Sequence, residues 1–443
     1  MTDKRSSFSS KLSFILVTAG AAIGLGNIQR FPYITAKCGG GAFLLMYLLC
    51  VLLIGLPLIL VEFSIGRAAQ KNSVTALNTL SPRGAWGLLG FSSILTAFFI
   101  LCYYLVPSAW TLGYGVMSLF NKTMPLEEFN QHPYRGVVLS FLFMLWTAYI
   151  VNNGLQKGLE RWSKILLPAL FILLLVMIVY AAQLPHSWEG MLYYLKPDFS
   201  KVTSEVMLLA LSQAFFSLCI GEAVLITFGS FVPKTDNLLA SACSIVFFGF
   251  LAALLSGLVI FPAIFSLGQN PQGDYGMIYD VIPQAFQAFA FGSVISCAFF
   301  LLLAFAALTT CIALLEMPVN YLVESRGMRR SRAVFLCASL AFVLSVPIAL
   351  SKGAHAGLSA LRFPVLGGLP LLEFCDFIFG SVAMLMNGLL LCLFTGWVWG
   401  ATASLKELSL GCPSFALLGR GWGFYLRYLA PLLIVLVLGS LFF

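Results

Sequence analysis

Eleven apolar stretches, each long enough to cross a bilayer, constrain this chain more than any motif it carries. Their approximate cores are 12–36, 41–66, 87–119, 136–152, 165–184, 205–232, 238–267, 290–323, 333–350, 373–399 and 423–442, joined by short connections. A spanning helix needs about 20 apolar residues. Of the 443 residues 60% are hydrophobic and 9% are charged, with a mean hydropathy of +0.96, a balance that excludes a soluble domain of this length. Hydrocarbon offers the backbone no hydrogen bonds, so spanning segments without barrel periodicity are helices. The expected class is an all-α membrane protein of eleven transmembrane helices, a single polytopic domain over 1–443.

The polar residues refine this. Lys4, Arg5 and Lys11 lead directly into the first segment with no small-residue cleavage site, so no signal peptide is expected. With the N-terminus inside, 17 of the 25 Lys and Arg fall on the cytoplasmic side and 8 on the other. That bias favours a cytoplasmic N-terminus, and eleven spans then put the C-terminus outside, in a multi-pass protein of the cell membrane. The net charge of +8 is scattered through short loops, which points to topology and not to nucleic acid. The 11 cysteines lie mostly inside apolar segments without a CxxC pair, as small buried hydrophobes do.

Two segments are interrupted. The first carries Gly20, Gly24 and Gly26 within seven residues, then Asn27, Arg30 and Pro32. Glycine weakens a helix and lets its backbone open. Small residues also serve close helix packing, so a packing role and a binding role are both open, with Asn27 favouring the second because buried polar groups in lipid are costly. The sixth segment runs Gln213 to Ala223 with Ser217, Cys219, Gly221 and Glu222 inside it. Breaks at matching places in two halves are the sequence pointer to a transporter site between inverted repeats. An offset of five helices inverts the second half relative to the first.

The residues also carry a family resemblance. Gly20 to Pro32, the run Gly39 to Phe43, Val61 to Arg67, Tyr103-Tyr104 with Trp110 to Gly113, Gln213 to Glu222 and Phe305 to Thr310 resemble, in order and over essentially the whole chain, the neurotransmitter:sodium symporter family, in its bacterial amino-acid transporter branch. The resemblance implies a LeuT-like 5+5 inverted repeat with broken helices 1 and 6, the repeats covering approximately 12–184 and 205–399, and an extra helix at 423–442. It implies a sodium-coupled symporter, not an enzyme, that moves an amino acid or related zwitterion by alternating access.

The site residues it implies are as follows. One sodium would take the carbonyls of Gly20, Ile23 and Ala306 and the hydroxyls of Thr309 and Thr310, although threonines in a helix also bond their own backbone. The substrate would meet Ala21, Ala22, Gly24, Leu25, Gly26, Ile100, Tyr104, Phe216, Ser217, Cys219, Glu222, Thr310 and Leu314. Gly24 stands where amine transporters place an acid. Arg30 with Asp376 matches the outer gate, with Phe216 and Tyr104 as its lid. Arg5 with Glu324 matches the inner gate, with Phe8 at the usual Trp position. Glu62 is expected to hold helices together near the break of helix six.

Two departures stand out. A second sodium would use Ala22, Asn27 and Ser217, but the helix-seven positions that carry its side-chain ligands in the family are Gly249 and Ala253 here. That leaves the second sodium, and the chloride site of Tyr47, Gln213 and Ser217 beside it, without their full ligand sets. Glu222 stands where the family usually has an apolar or aromatic residue. Three roles are open to it: a partner for a cationic substrate, a replacement ion or proton ligand, or a structural acid bonded to the broken helix. A proton-coupled amino-acid transporter is the alternative within the same architecture. A channel would want one polar pore, and a membrane enzyme would want clustered His, Asp or Glu, whereas His132, His186 and His355 are scattered in loops. Membrane lipid surrounds such a protein, and its oligomeric state is not legible in the sequence.

Overall fold

The structure is a computed structural model that describes residues 8–81, 84–269, 271, 276–287, 289, 291–364 and 368–440. Among these residues it is helical throughout, apart from one isolated bridge between Phe363 and Leu369. In chain order the main helices are α1 (Lys11–Ala22), α2 (Gly26–Lys37), α3 (Gly41–Ala69), α4 (Gly87–Leu119), α5 (Pro133–Asn152) and α6 (Leu155–Ala181). They continue as α7 (Ser204–Ser217), α8 (Val224–Gly229), α9 (Leu238–Ser266), α10 (Gly292–Arg326), α11 (Arg330–Leu350), α12 (Leu371–Val398) and α13 (Pro413–Gly439).

Nine of these helices are long and apolar enough to cross a membrane, and a tenth span results if α1 and α2, bent by 52° at their junction, count as one. The expected eleventh is the stretch 205–232, which is divided into α7 and α8. Neither half has the length of a span. Cys219, Gly221 and Ala223 between them adopt φ of 54°, 83° and 64°, the left-handed region that ends a helix.

Two boundaries also differ from the sequence reading. The fifth span begins at Leu155, not at 165, because Glu160 is buried and paired rather than looped out. It accepts from Ser9 N at 2.8 Å and Ser9 Oγ at 2.6 Å, with Lys164 Nζ at 3.3 Å. The last span begins at Pro413, not at 423.

The packing is layered from the inside out. α4 and α10 make the most extensive helix contact and are the most enclosed spans. Trp110, Tyr103 and Tyr104 of α4 are fully buried. α5, α6 and α13 turn Leu145, Val179 and Leu436 outward, the arrangement of helices facing lipid. α1 lies against α9, α10 and α6, so the first break sits in the middle of the bundle.

One cation clamps the end of α3. Arg67, fully buried, donates Nε to Glu407 Oε1 at 2.7 Å and Nη1 to the Asp236 carbonyl at 2.7 Å, and Nη2 to the Glu407 carbonyl. It joins α3 to the turn after α8 and to the helix Ala401–Ser409. Removing one member of a buried ion pair costs about 3–5 kcal/mol, whereas exposed pairs are worth about 0–1 kcal/mol. Arg67→Ala should therefore lower the melting temperature of the purified protein clearly. Lys37→Ala, which breaks the exposed 3.5 Å pair with Glu205, should leave it nearly unchanged. Equal melting temperatures for the two variants would contradict this.

Candidate functional site

The two breaks meet. α1 ends at Ala22, and its last carbonyls, from Gly20 to Ile23, lie beyond the reach of intrahelical donors. α2 resumes with a wide turn, Gly26–Arg30, and Pro32 in the next turn needs no amide donor there. α7 stops at Ser217 opposite this gap. A cavity opens between them, walled by Ala21, Ala22, Gly24, Gly26, Ile100, Tyr104, Phe216, Cys219, Glu222, Thr310 and Leu314. It is tight, with about 10 Å³ open to the centre of a water molecule.

Hydrogen bonds hold the broken ends. Leu25 N donates to Tyr104 Oη at 2.5 Å, and Gln213 Nε2 donates to the Gly26 carbonyl at 2.8 Å. On the other break, Gly221 N donates to Glu62 Oε1 at 2.7 Å, as expected of Glu62. Asn387 Nδ2 donates to the Gly221 carbonyl at 2.9 Å and to Thr96 Oγ1 at 3.0 Å. Asn387 was missed in the sequence; its signal was a lone amide in an otherwise apolar segment. A side chain at Gly24 would collide with Thr310 Oγ1 and the Tyr104 hydroxyl, and one at Gly26 with the Phe216 ring. The acid that amine transporters carry at the first position has no room here.

Of the residues assigned to substrate, Leu25 and Ser217 stand behind the wall. Leu25 contributes its N–H to Tyr104, and Ser217 Oγ bonds Tyr47 Oη at 2.8 Å. The residues assigned to the first sodium are adjacent. A Cβ on Gly20 would lie 3.5 Å from Thr309 Cβ, Thr309 Oγ1 donates to the Ala306 carbonyl at 2.9 Å, and Thr310 Oγ1 donates across to the Ala21 carbonyl at 3.0 Å. Thr309 bonds its own helix; Thr310 does not. Both hydroxyl oxygens keep lone pairs for a hard cation.

The second set is also together but incomplete. Asn27 Nδ2 donates to the Gly249 carbonyl at 2.9 Å, and a Cβ on Gly249 would meet Asn27 and Leu218. Asn27 Oδ1 is buried without a hydrogen-bond partner. A buried orphaned oxygen fits a cation, although Gly249 adds no side-chain ligand. Gln213 is engaged at both ends of its amide, by Gly26 and by Arg30.

One end of the cavity is closed. Arg30 Nε lies 3.5 Å from Asp376 Oδ2, its Nη1 donates to Gln213 Oε1 at 2.8 Å, and its guanidinium sits 4.6 Å over the Phe216 ring. Tyr103, not its neighbour Tyr104, donates to Asp376 Oδ1 at 2.9 Å. At the start of α1 Phe8 packs on Phe14, Phe228 and Phe231. Glu324 Oε2 accepts from Asn72 N and Nδ2, both at 3.1 Å, while Arg5 lies outside the described residues.

A bundle of apolar helices with two broken segments converging on one central cavity, closed by a charge pair at one end, defines a multi-pass membrane transporter. The chain belongs to the Sodium:neurotransmitter symporter family, whose sequence profile matches residues 5–136 and 134–441. It is a sodium-coupled symporter and not an enzyme. It is 33% identical to the sodium-dependent transporter YhdH of Bacillus subtilis, over 97% of this chain and 96% of that protein. It is 29% identical to the sodium-dependent neutral amino acid transporter B(0)AT2 of Bos taurus, over 59% of this chain and 41% of that one. Among solved structures, MhsT in complex with L-phenylalanine superposes with a TM-score of 0.91 at 36% identity, covering 99% of this chain and all of that one.

Cys219 lines the cavity and reports on its closure. Arg30→Ala removes the ion pair, the Gln213 bond and the ring contact together. A membrane-impermeant thiol reagent applied from the Arg30 side should then modify Cys219 several-fold faster, with Cys219→Ser as the control for other thiols. Unchanged labelling would show that Arg30 does not close this path.

Proposed function

We propose that this chain carries an amino acid together with sodium, by alternating access, through the cavity between α1, α2, α4, α7 and α10. The observation that supports it most directly is the meeting of two helix breaks on one small chamber. Broken backbone at membrane depth is tolerated only where it is buried in protein or lines a cavity, and there it offers free carbonyls and amides as ligands. In this reading the substrate carboxylate faces the opening amides near Gly24 and Gly26 and the Tyr104 hydroxyl. The ammonium faces the Ala21 and Phe216 carbonyls and Thr310. Likeness to B(0)AT2 and to the L-phenylalanine complex of MhsT supports an amino acid as the substrate.

Sodium sits, on this proposal, among Gly20, Ile23, Ala306, Thr309 and Thr310, as the coupling ion. Asn27, Ala22 and Ser217 form a weaker second position, because Gly249 and Ala253 contribute no side-chain oxygen. Closure by Arg30 and Asp376 outside, and by Arg5, Phe8 and Glu324 inside, alternates. Residues 12–184 and 205–399 act as the two inverted repeats, and the distribution of Lys and Arg supports an N-terminus in the cytoplasm.

The double variant Thr309→Ala, Thr310→Ala should abolish sodium-stimulated uptake of amino acids into proteoliposomes. It should also remove the sodium-dependent rise in melting temperature, since ligands stabilise the state they bind. Sodium stimulation as strong as in the unmodified protein would refute the ion assignment. Uptake driven equally by a proton gradient without sodium would favour proton coupling instead.

A further inference from the structure

Glu222 is the one charged side chain in the wall of the cavity, among the residues described. It is 2% exposed, and its Oε2 has no hydrogen-bond partner. No Lys, Arg or His faces it from the cavity wall. The polar groups that act on it are the Glu62 carboxyl and the Cys219 thiol, neither of them a cation, and a buried carboxylate without a cation is costly.

The three roles open to such an acid are separated by geometry. It is not needed to secure the broken helix, because the N–H of Gly221 is taken by Glu62 and its carbonyl by Asn387. It does not stand in for the missing helix-seven ligand. The groups within reach of a Cβ at Gly249 are Asn27 and Leu218, and Glu222 is not among them. What remains is its position in the chamber: Glu222 lines the same cavity as Gly24 and Tyr104, together with the apolar side chains of Ile100 and Leu314. Apolar walls with a carboxylate among them suit a methylene stem that ends in a cation.

We infer that Glu222 is a specificity-determining residue that pairs with a side-chain cation of the substrate, so that the preferred substrates are diamino acids of the lysine and ornithine type. This rests on reading the cavity as an amino-acid site. Gly24 and the freed amides take the α-carboxylate, the Ala21 and Phe216 carbonyls take the α-ammonium, and Glu222 takes the distal ammonium. Two like charges on the substrate are then met by separate acceptors. An uncharged side chain would leave the carboxylate buried and unpaired, which is the basis of the discrimination.

The test uses the full-length protein, purified and in proteoliposomes, with L-lysine, L-ornithine and L-2,4-diaminobutyrate against L-norleucine and L-norvaline. In sodium, at least one diamino acid should bind at least tenfold more tightly than the uncharged pair, by melting-temperature shift and by competition for uptake. Glu222→Gln, which preserves the shape, should weaken the diamino acids by tenfold to a thousandfold and leave norleucine unchanged or tighter. Glu222→Asp should keep the preference for a cation. Four results would overturn the inference. In one, the unmodified protein prefers norleucine and Glu222→Gln binds every ligand as before. In another, Glu222→Gln loses charged and uncharged ligands alike with an altered sodium dependence, which would make Glu222 part of the coupling. In the third, sodium and all five amino acids leave the melting temperature of the unmodified protein unmoved, and the proposed function falls as well. Sodium-dependent binding of norleucine without a preference for cations would overturn this inference alone.

Discussion

A backbone N–H or C=O without a partner costs several kcal/mol in hydrocarbon, and this chain interrupts two of its helices in the middle of the bundle. The architecture around those interruptions answers that cost. Gly221 between α7 and α8 is held from both sides, its N–H by Glu62 of α3 and its carbonyl by Asn387 of α12. The gap between α1 and α2 is held by Tyr104 of α4 at Leu25 and by Gln213 of α7 at Gly26. Side chains from four other helices thus do what a continuous helix would have done for itself. The last carbonyls of α1, of which that of Ala21 already accepts from Thr310 Oγ1, and the ends near Gly24 and Gly26 are what a ligand can use.

The same bonds tie recognition to closure. Gln213 touches the first break through Gly26 and the Arg30–Asp376 charge pair through Arg30. Arg30 in turn lies over Phe216, whose ring occupies the space above Gly26. A shift at the break is therefore felt at the charge pair through two side chains, with no long pathway required. Glycine at 24 and 26 is what permits this compactness. Any larger residue would push Thr310, Tyr104 or Phe216 out of the positions that form the wall.

Much of this was legible in the sequence, because membrane burial makes the signals strong. Apolar length located most spans, and three glycines beside Asn27 located the first break. The resemblance named the wall of the cavity closely: only Leu25 and Ser217 stand behind it rather than in it. The errors have a common physical cause. The start of the fifth span was placed too late because Lys157, Glu160, Arg161 and Lys164 read as a loop, when Glu160 is buried against Ser9. Asn387 and Tyr103 passed unnoticed in their roles because a partner across the bundle cannot be read from neighbours in the chain. The break of the sixth segment, by contrast, was legible between Gln213 and Ala223, and positive φ at Cys219, Gly221 and Ala223 falls inside that stretch.

The departures at Gly249 and Glu222 are better understood together with Asn27. In this chain Gly249 gives only its carbonyl, and Asn27 Nδ2 takes it. That bond commits the amide end of Asn27 and leaves Oδ1 buried without a partner, at a cost of about 1–3 kcal/mol unless a cation or water meets it. The region therefore keeps a neutral oxygen without a partner, Asn27 Oδ1, and a carboxylate oxygen without one, Glu222 Oε2, in the wall of the chamber. Neutral oxygen suits a sodium ion held weakly, and carboxylate suits a cation that arrives with the substrate. On the proposed reading, positive charge entering the chamber is divided between ion and solute, and an apolar solute would satisfy only part of what the walls present.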